Sequence, residues 1–355
     1  MIEQRKNEHI ILSVKENVEF EYKTTFFEYV ELVHNAIPEI NLEDVDLVTS
    51  FLGYELSAPI IIAGMTGGTD LAYRINRDLA KVAEEIGIGI GVGSQRIALE
   101  KSDAAKSFSI VRKIAKNVPV IGNIGASQLV KGLSLDDFDK LGEMIKADAI
   151  AIHLNPLQEA VQVEGEPDYS GILEKIEYFV KNSSYPIIIK ETGAGISREV
   201  AEKLVEVGVN IIDVGGSGGT SFSKIEALRT KDTFSKRIAM DFAEWGIPTA
   251  ISILETRSVS DRLTIISTGG IRDGISMAKA LRLGANICGI ALPMIRAVYN
   301  GGYEEALEVM KIFIRELKIA IFLTGANNVK CFKKKPVIIY GLLREWLEQR
   351  KIQNF

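Results

Sequence analysis

From residue 59 onward, short apolar runs alternate with stretches whose apolar residues recur at helical spacing. The runs are Pro59–Gly64, Gly89–Gly93, Val118–Gly125, Ala149–Leu154, Pro186–Glu191, Asn210–Gly215, Leu263–Gly269 and Asn286–Ala291. They are rich in Ile, Val and Gly and lack period-two alternation, as parallel strands buried on both faces do. Between them, Leu71–Ile86 places Leu71, Ile75, Leu79, Val82 and Ile86 three and four residues apart, the stripe of an amphipathic helix. Arg198–Val207 and Ile275–Leu283 read as helices that stop before Gly208 and Gly284, with Ser197 and Asp273 as N-caps. Eight strand–helix units in succession predict an α/β fold, a closed (β/α)8 barrel.

Two parts stand outside this repeat. The first 58 residues contain Phe26, Phe27, Tyr29, Val30, Leu32 and Val33, which predict a helix and short strands closing the base of the barrel. His34 falls in that helical stretch and reads as structural. A long insertion after the sixth strand, from Gly216 to about Ala243, is Gly-rich first and charged later. Loops after barrel strands carry active sites, so this one is a candidate. The expected organisation is one domain: an extension over 1–58, the barrel over 59–325, and a C-terminal tail and helix over 326–355.

Composition narrows the class. The 355 residues are 46% hydrophobic, enough for a large core, and the formal net charge of −5 gives no basic field to hold nucleic acid. Cys288 and Cys331 are too few for a disulfide framework or a zinc cluster, and Cys288 in the run Ile287–Ile290 reads as a buried structural thiol. The N-terminus lacks the apolar core of a signal peptide, and no apolar run is long enough to span a membrane, so a cytoplasmic protein is expected.

The candidate chemistry lies at the strand C-termini, where barrels bind their ligands. In chain order these ends carry Gly64-Met65-Thr66-Gly67-Gly68, Ser94-Gln95-Arg96, Asn123 and His153-Leu154-Asn155-Pro156-Leu157-Gln158-Glu159. Then come Lys190-Glu191-Thr192-Gly193, Gly215-Gly216-Ser217-Gly218-Gly219-Thr220, Gly269-Gly270-Ile271-Arg272 and Ala291-Leu292-Pro293. Glycine loops let backbone N–H groups approach a phosphate, and the last two ends occupy the usual phosphate position of barrels, which favours a phosphate-bearing cofactor. Lys190 ends a buried Ile run and points into the mouth, where a cation would stabilise an anionic reduced flavin. Glu159 beside Gln158 suits a hard cation such as Mg²⁺, although by itself it reads first as a solvated loop acid. Arg5, Lys6 and His9 form a charged cluster that reads as a solvated tail unless the N-terminus folds over the mouth, and Lys333-Lys334-Lys335 reads as a solvated run.

Taken in this order on one barrel, the motifs resemble those of the type 2, FMN-dependent isopentenyl diphosphate isomerases. The resemblance runs from Arg5-Lys6 to the last barrel helix and rests on Met65–Gly68, Gly93–Arg96, His153–Glu159, Gly218–Ser221 and Gly270–Arg272. It implies FMN at Gly64, Met65, Thr66, Ser94, Asn123, Lys190, Gly215, Thr220, Gly270, Ile271, Arg272, Ala291 and Leu292. A small-molecule diphosphate is implied at Arg5, Lys6, His9, Ser94, Gln95, Arg96, Asn155 and Gln158, with Mg²⁺ on Glu159. The catalytic set it implies is Gln158, Lys190, Glu226 and His153, of which Glu226 resembles an acid considered for proton handling. NADPH or NADH would serve only to reduce the FMN, and a homotetramer or larger homo-oligomer is implied. One departure is Gly215, where the family often carries serine, which puts one hydroxyl contact to FMN in doubt.

The implied reaction protonates the terminal alkene carbon and removes a C2 proton through a tertiary cation at C3. Two rival readings of the same barrel fit less well. A hydroxy-acid oxidase needs a base after the seventh strand, where no histidine stands, and a cysteine nucleophile needs a loop, whereas Cys288 lies in a strand. A phosphate-ligand sensor without chemistry would leave the polar set at the mouth unexplained.

Overall fold

A computed structural model describes residues 2–352. Eight parallel strands form a closed barrel in sequence order: β4 (Ile60–Ile62), β5 (Gly89–Gly91), β6 (Val120–Gly125), β7 (Ala149–Leu154), β8 (Ile187–Glu191), β9 (Ile211–Asp213), β10 (Thr264–Ser267) and β11 (Ile287–Ile290). Closure comes from β11 against β4, with Cys288 opposite Ile60 and Ile290 opposite Ile62. Each strand lies inside one of the eight apolar runs. The helices also start and stop on the expected residues. The side chains of Ser197 and Asp273 accept the amides of Val200 and Ser276, and Gly208 and Gly284 adopt φ of 94° and 116°.

Side chains alternate across each strand and divide the core in two. Ile60, Ile62, Val120, Ile150, Ile189, Ile212 and Ile290 pack outward under the helices. Ile61, Ile121, Ala149, Ile188, Ile266 and Ile287 fill the barrel interior. The interior is sealed at its base by an antiparallel hairpin of β2 (Thr49–Phe51) and β3 (Tyr54–Leu56), which contributes buried Phe51 and Leu56 to the interior cluster. Its two-residue turn takes positive φ at Leu52 and Gly53, the handedness that matches twisted strands.

The expected helix near residue 30 is replaced by other structure. Phe27–Tyr29 is a single 3-10 turn, and β1 (Val30–Leu32) pairs antiparallel with β12 (Val337–Ile339), so His34 lies outside any helix. The helix of this region is Ile2–Lys15, and it crosses the opposite end of the barrel, the mouth. The insertion after β9 contains two helices, Phe222–Arg229 and Thr233–Asp241, the first capped by Ser221. The lysine run is not uniformly solvated: burial of Lys333 lowers its ammonium to about 8. Cys288 is buried as expected, and burial pushes its thiol up to about 12. The helix Gly341–Arg350 docks through Trp346 Nε1 and Arg350 Nε, which donate to buried Glu255 at 2.8 and 2.7 Å. The last three residues of the expected C-terminal segment lie outside the described residues. No described helix is long and apolar enough to cross a membrane.

Phe51 is a large buried side chain in the interior cluster at the barrel base. Phe51→Ala is expected to cost about 3–5 kcal/mol, read as a lower denaturation midpoint with an unchanged slope.

Candidate active site

Two residues beyond the apolar interior layer, the same faces of the eight strands carry Ala63, Gly91, Asn123, His153, Lys190, Asp213, Thr268 and Gly289. The layer is lopsided. Five consecutive positions, from β6 to the end of β10, are polar, while the three contributed by β11, β4 and β5 have little or no side chain. Asn123 Oδ1 accepts from His153 Nδ1 at 2.7 Å, and Asp213 accepts from Thr268 Oγ1. Lys190 Nζ donates to Glu191 O at 2.6 Å. Above this floor lies a cavity of about 1080 Å³, part of it open to solvent.

Most of the expected cofactor positions stand in the cavity wall. Gly64, Met65 and Thr66 line it after β4, Gly215 and Thr220 after β9, Gly270, Ile271 and Arg272 after β10, and Ala291 and Leu292 after β11, with Lys190 in the floor. The wall suits a phosphate-bearing flavin. Thr66 Oγ1 is buried without a protein partner. The loops after β9 and β10 pack backbone to backbone: a Cβ on Gly219 would lie 2.3 Å from Gly270 N, and one on Gly270 2.2 Å from Thr25 Cγ2. The amides of Thr220, Gly270 and Ile271 donate to no protein acceptor among the described residues, the donor set that phosphate-binding loops present. At Gly215 a side chain would meet Glu191 O at 2.2 Å, so no hydroxyl fits there without a backbone shift.

The helix Ile2–Lys15 forms the roof. Lys6, His9, Ile10 and Ser13 line the cavity from above. Lys6 Nζ donates to Ser94 O at 2.8 Å and sits 5.5 Å above the Phe108 ring, and burial with Arg5 nearby lowers its ammonium to about 7. The chain after the helix is fastened to the rim by Glu19, which accepts from Arg272 Nε at 2.8 Å and Arg296 Nη1 at 3.2 Å. Phe20 N donates to Gly219 O and Ser221 N to Val18 O, so this segment is tied to one of the candidate phosphate loops.

Glu226, from the helix after β9, joins roof and wall. It is buried and accepts from His9 Nε2 at 2.9 Å, Gln158 Nε2 at 3.0 Å and Arg229 Nε at 2.7 Å. Gln162, with its amide oriented to satisfy both neighbours, donates to Glu226 Oε1 at 3.1 Å and accepts from Arg5 Nη1 at 3.0 Å. Burial alone would raise the Glu226 carboxyl, but the donors and positive charge around it outweigh burial and hold it near 2. Asn155 and Gln158 line a smaller hollow beside the cavity. Asn155 Nδ2 donates to Gln158 Oε1 and Glu159 Oε1, and Glu166 N donates to Glu159 Oε2, so the Glu159 carboxylate is held in one orientation.

Several expected contacts lie behind the wall. Gln95 is fully buried, donates to Leu141 O and accepts from Asn123 N, so it braces the barrel and does not face the cavity. Arg96 pairs with Glu100 and Glu166 at the rim. His153 is held neutral, lowered to about 3 by burial and by Lys190 and Lys6. Its Nδ1–H points to Asn123, so it presents an oriented ring and no imidazolium at neutral pH.

The sequence reading passed over Glu191 and Asp213. Glu191 Oε2 accepts the amides of Thr192, Gly193, Ala194 and Gly195, fixing the loop after β8, and burial raises its carboxyl to about 7. Asp213 is the buried partner of Lys190 in register. Counting back in twos from each strand end would have found Asp213, whereas Glu191 shows only as the carboxylate next to Lys190.

Because the folded-state pKa of Glu226 is lowered, its contribution to stability is complete above the ordinary value of 4.5 and disappears as pH falls through about 2. Glu226→Gln is therefore expected to lose roughly 3 kcal/mol at pH 7 and nothing near pH 2, measured by denaturation across that range.

Residues 147–338 match the FMN-dependent dehydrogenase family. An isopentenyl-diphosphate delta-isomerase of Pyrococcus furiosus is 48% identical over 99% of this chain and 90% of its own length. One of Sulfurisphaera tokodaii is 48% identical over 99% and 95%. Among solved structures, a protein described as lactate oxidase from Pediococcus acidilactici superposes with a TM-score of 0.69 over 95% of this chain and 91% of its own, at 15% identity, a likeness of fold alone. With half of its residues matching the family and nearly half identical to these relatives over almost its whole length, the chain belongs to the isopentenyl-diphosphate delta-isomerases of the FMN-dependent dehydrogenase family.

Proposed function

We propose that the protein interconverts isopentenyl diphosphate and dimethylallyl diphosphate over FMN held in the barrel mouth. The observation that carries this reading is the placement of Lys6 and His9 above the same cavity that has Lys190 in its floor, with Glu226 binding His9 and Gln158 together. Lys190, Thr66 and the neighbouring Gly64 and Met65 would hold the ring end of FMN. Thr220 with Gly270–Arg272 would hold its phosphate, with Ser94, Asn123, Ala291 and Leu292 completing the site. Once reduced by NADPH or NADH, bound FMN would supply an electron-rich surface for the reaction.

The reaction adds a proton at the terminal carbon and removes one from C2, with no net redox change. A tertiary cation between those steps needs water kept out and negative charge nearby. Ile10, Phe222, Leu292 and Ile295 give the cavity an apolar stretch of wall that would disfavour water beside the cation. A carboxylate held near 2 is a weak base, so Glu226 acts best as a fixed anion that orients His9 and Gln158. The neutral His153 acts as an oriented polar group beside Lys190. Arg5, Lys6, Arg96 and the Asn155–Gln158 pair surround the diphosphate end.

Glu159 is the proposed Mg²⁺ ligand. A single protein carboxylate suits a hard cation that draws most of its shell from phosphate and water. The Asn155 and Glu166 N–H groups orient the Glu159 carboxylate. Magnesium there would neutralise the diphosphate and discourage its departure. A homotetramer or larger closed assembly in the cytoplasm completes the proposal. Exposed Phe234 and Trp245 on the insertion after β9 supply apolar surface of the kind found in subunit contacts.

Incubation of the protein with FMN, NADPH, Mg²⁺ and isopentenyl diphosphate is expected to give dimethylallyl diphosphate. No allylic product from protein carrying reduced flavin would overturn the reading. In the free enzyme Lys6 loses its charge as pH rises through about 7, so kcat/KM is expected to fall above that pH while FMN affinity stays flat. A pH-rate profile in which Lys6→Met abolishes the fall checks the assignment.

A further inference from the structure

We propose that Asp213 is the counter-charge to Lys190, and that it sets how strongly the barrel floor favours negative charge on the bound flavin. The inference rests on the FMN reading above. Lys190 and Asp213 are register partners on β8 and β9, and both follow the inward-facing isoleucines Ile188 and Ile211 by two residues, so their side chains share one interior layer. Lys190 lines the cavity. Asp213, 4% exposed, does not, although its layer neighbours Lys190 and Thr268 and the following Gly215 do.

The other members of the layer are uncharged: Ala63, Gly91, Asn123, Thr268, Gly289 and the neutral His153. Asp213 accepts from Thr268 Oγ1 and, at 3.3 Å, from Gly215 N. Neither it nor Lys190 makes an ion pair within 4.0 Å among the described residues, so the two are left to face one another at longer range. Within a buried layer that attraction is weakly screened, and each charge alters the potential felt in the cavity above. Burial raises the Asp213 carboxyl and the Lys190 charge pulls it back. Asp213 is thus a positioning residue, acting on the flavin through Lys190 and through the field of the pair.

The test is the midpoint potential of the FMN-loaded full chain, measured anaerobically against a reference dye. Two electrons from the dye and one proton from water convert the ring to its anionic reduced form. Asp213→Asn keeps the size of the side chain and an oxygen for Thr268 while removing the negative charge. It is expected to shift the equilibrium at least tenfold towards reduced flavin, about 30 mV upward for a two-electron couple. Asp213→Glu, which keeps the charge, is expected to stay at the wild-type potential. An unmoved or lowered potential in Asp213→Asn overturns the inference, as does an equal rise in both variants.

If Asp213→Asn does not fold, the same pairing is read from the other side. Lys190→Gln is expected to lower the potential, and Lys190→Gln with Asp213→Asn to recover it. A double variant that stays as low as the single one overturns the proposal. Failure of the unaltered protein to take up FMN would sink the functional reading and this inference together. An unmoved potential in a yellow Asp213→Asn protein sinks the inference alone.

Discussion

A closed barrel of eight parallel strands has a single interior, and period-two alternation gives each strand one side chain in its uppermost layer. In this chain that layer is divided by chemistry. From β6 to the end of β10 it is Asn123, His153, Lys190, Asp213 and Thr268, while β11, β4 and β5 contribute Gly289, Ala63 and Gly91. A floor that is polar on one side and nearly bare on the other can take a flat ring against the bare side and address its edge from the polar side. The glycine loops after β9 and β10 continue from that floor and carry amides without a protein acceptor among the described residues, which suit a phosphate.

The roof is held by charge more than by apolar packing. Among the described side chains of the helix Ile2–Lys15, Ile10 is the one buried apolar group, and Lys6, His9 and the following Glu19 anchor the helix to Ser94, Glu226, Arg272 and Arg296. Each of these anchors is also part of the site or next to it. Fastening the roof and shaping the upper part of the cavity are therefore the same set of contacts. Glu226 shows the consequence: the donors that keep it anionic are the ones that fix His9 and Gln158 over the cavity.

What could be read from sequence follows from where burial is two-sided. Strands such as Ile187–Glu191 are apolar on both faces, so all eight stood out as continuous runs, and the helices between them were marked by their caps. The N-terminal helix was hidden because its partner is a polar cavity rim, which leaves Glu3, Arg5, Lys6 and Glu8 reading as a solvated tail. Of the helix and short strands expected in the first 58 residues the strands form, but no helix forms around Val30, whose partner Val337–Ile339 lies about 300 residues away where local periodicity cannot register it. Motif position placed the wall residues but not the direction of each side chain, so Gln95 was expected at the substrate although it turns inward to Leu141 O. Asp213 stayed unseen inside an apolar run because it looks like a strand terminus, and only pairing with Lys190 gives it meaning.

The division of the floor is tested most directly by a crystal structure of the protein loaded with FMN. The account predicts a ring resting on the Ala63 and Gly289 side with Lys190 in contact, and a phosphate on the Thr220 and Gly270–Arg272 amides. A ring seated away from Lys190, or a phosphate elsewhere on the rim, would contradict it.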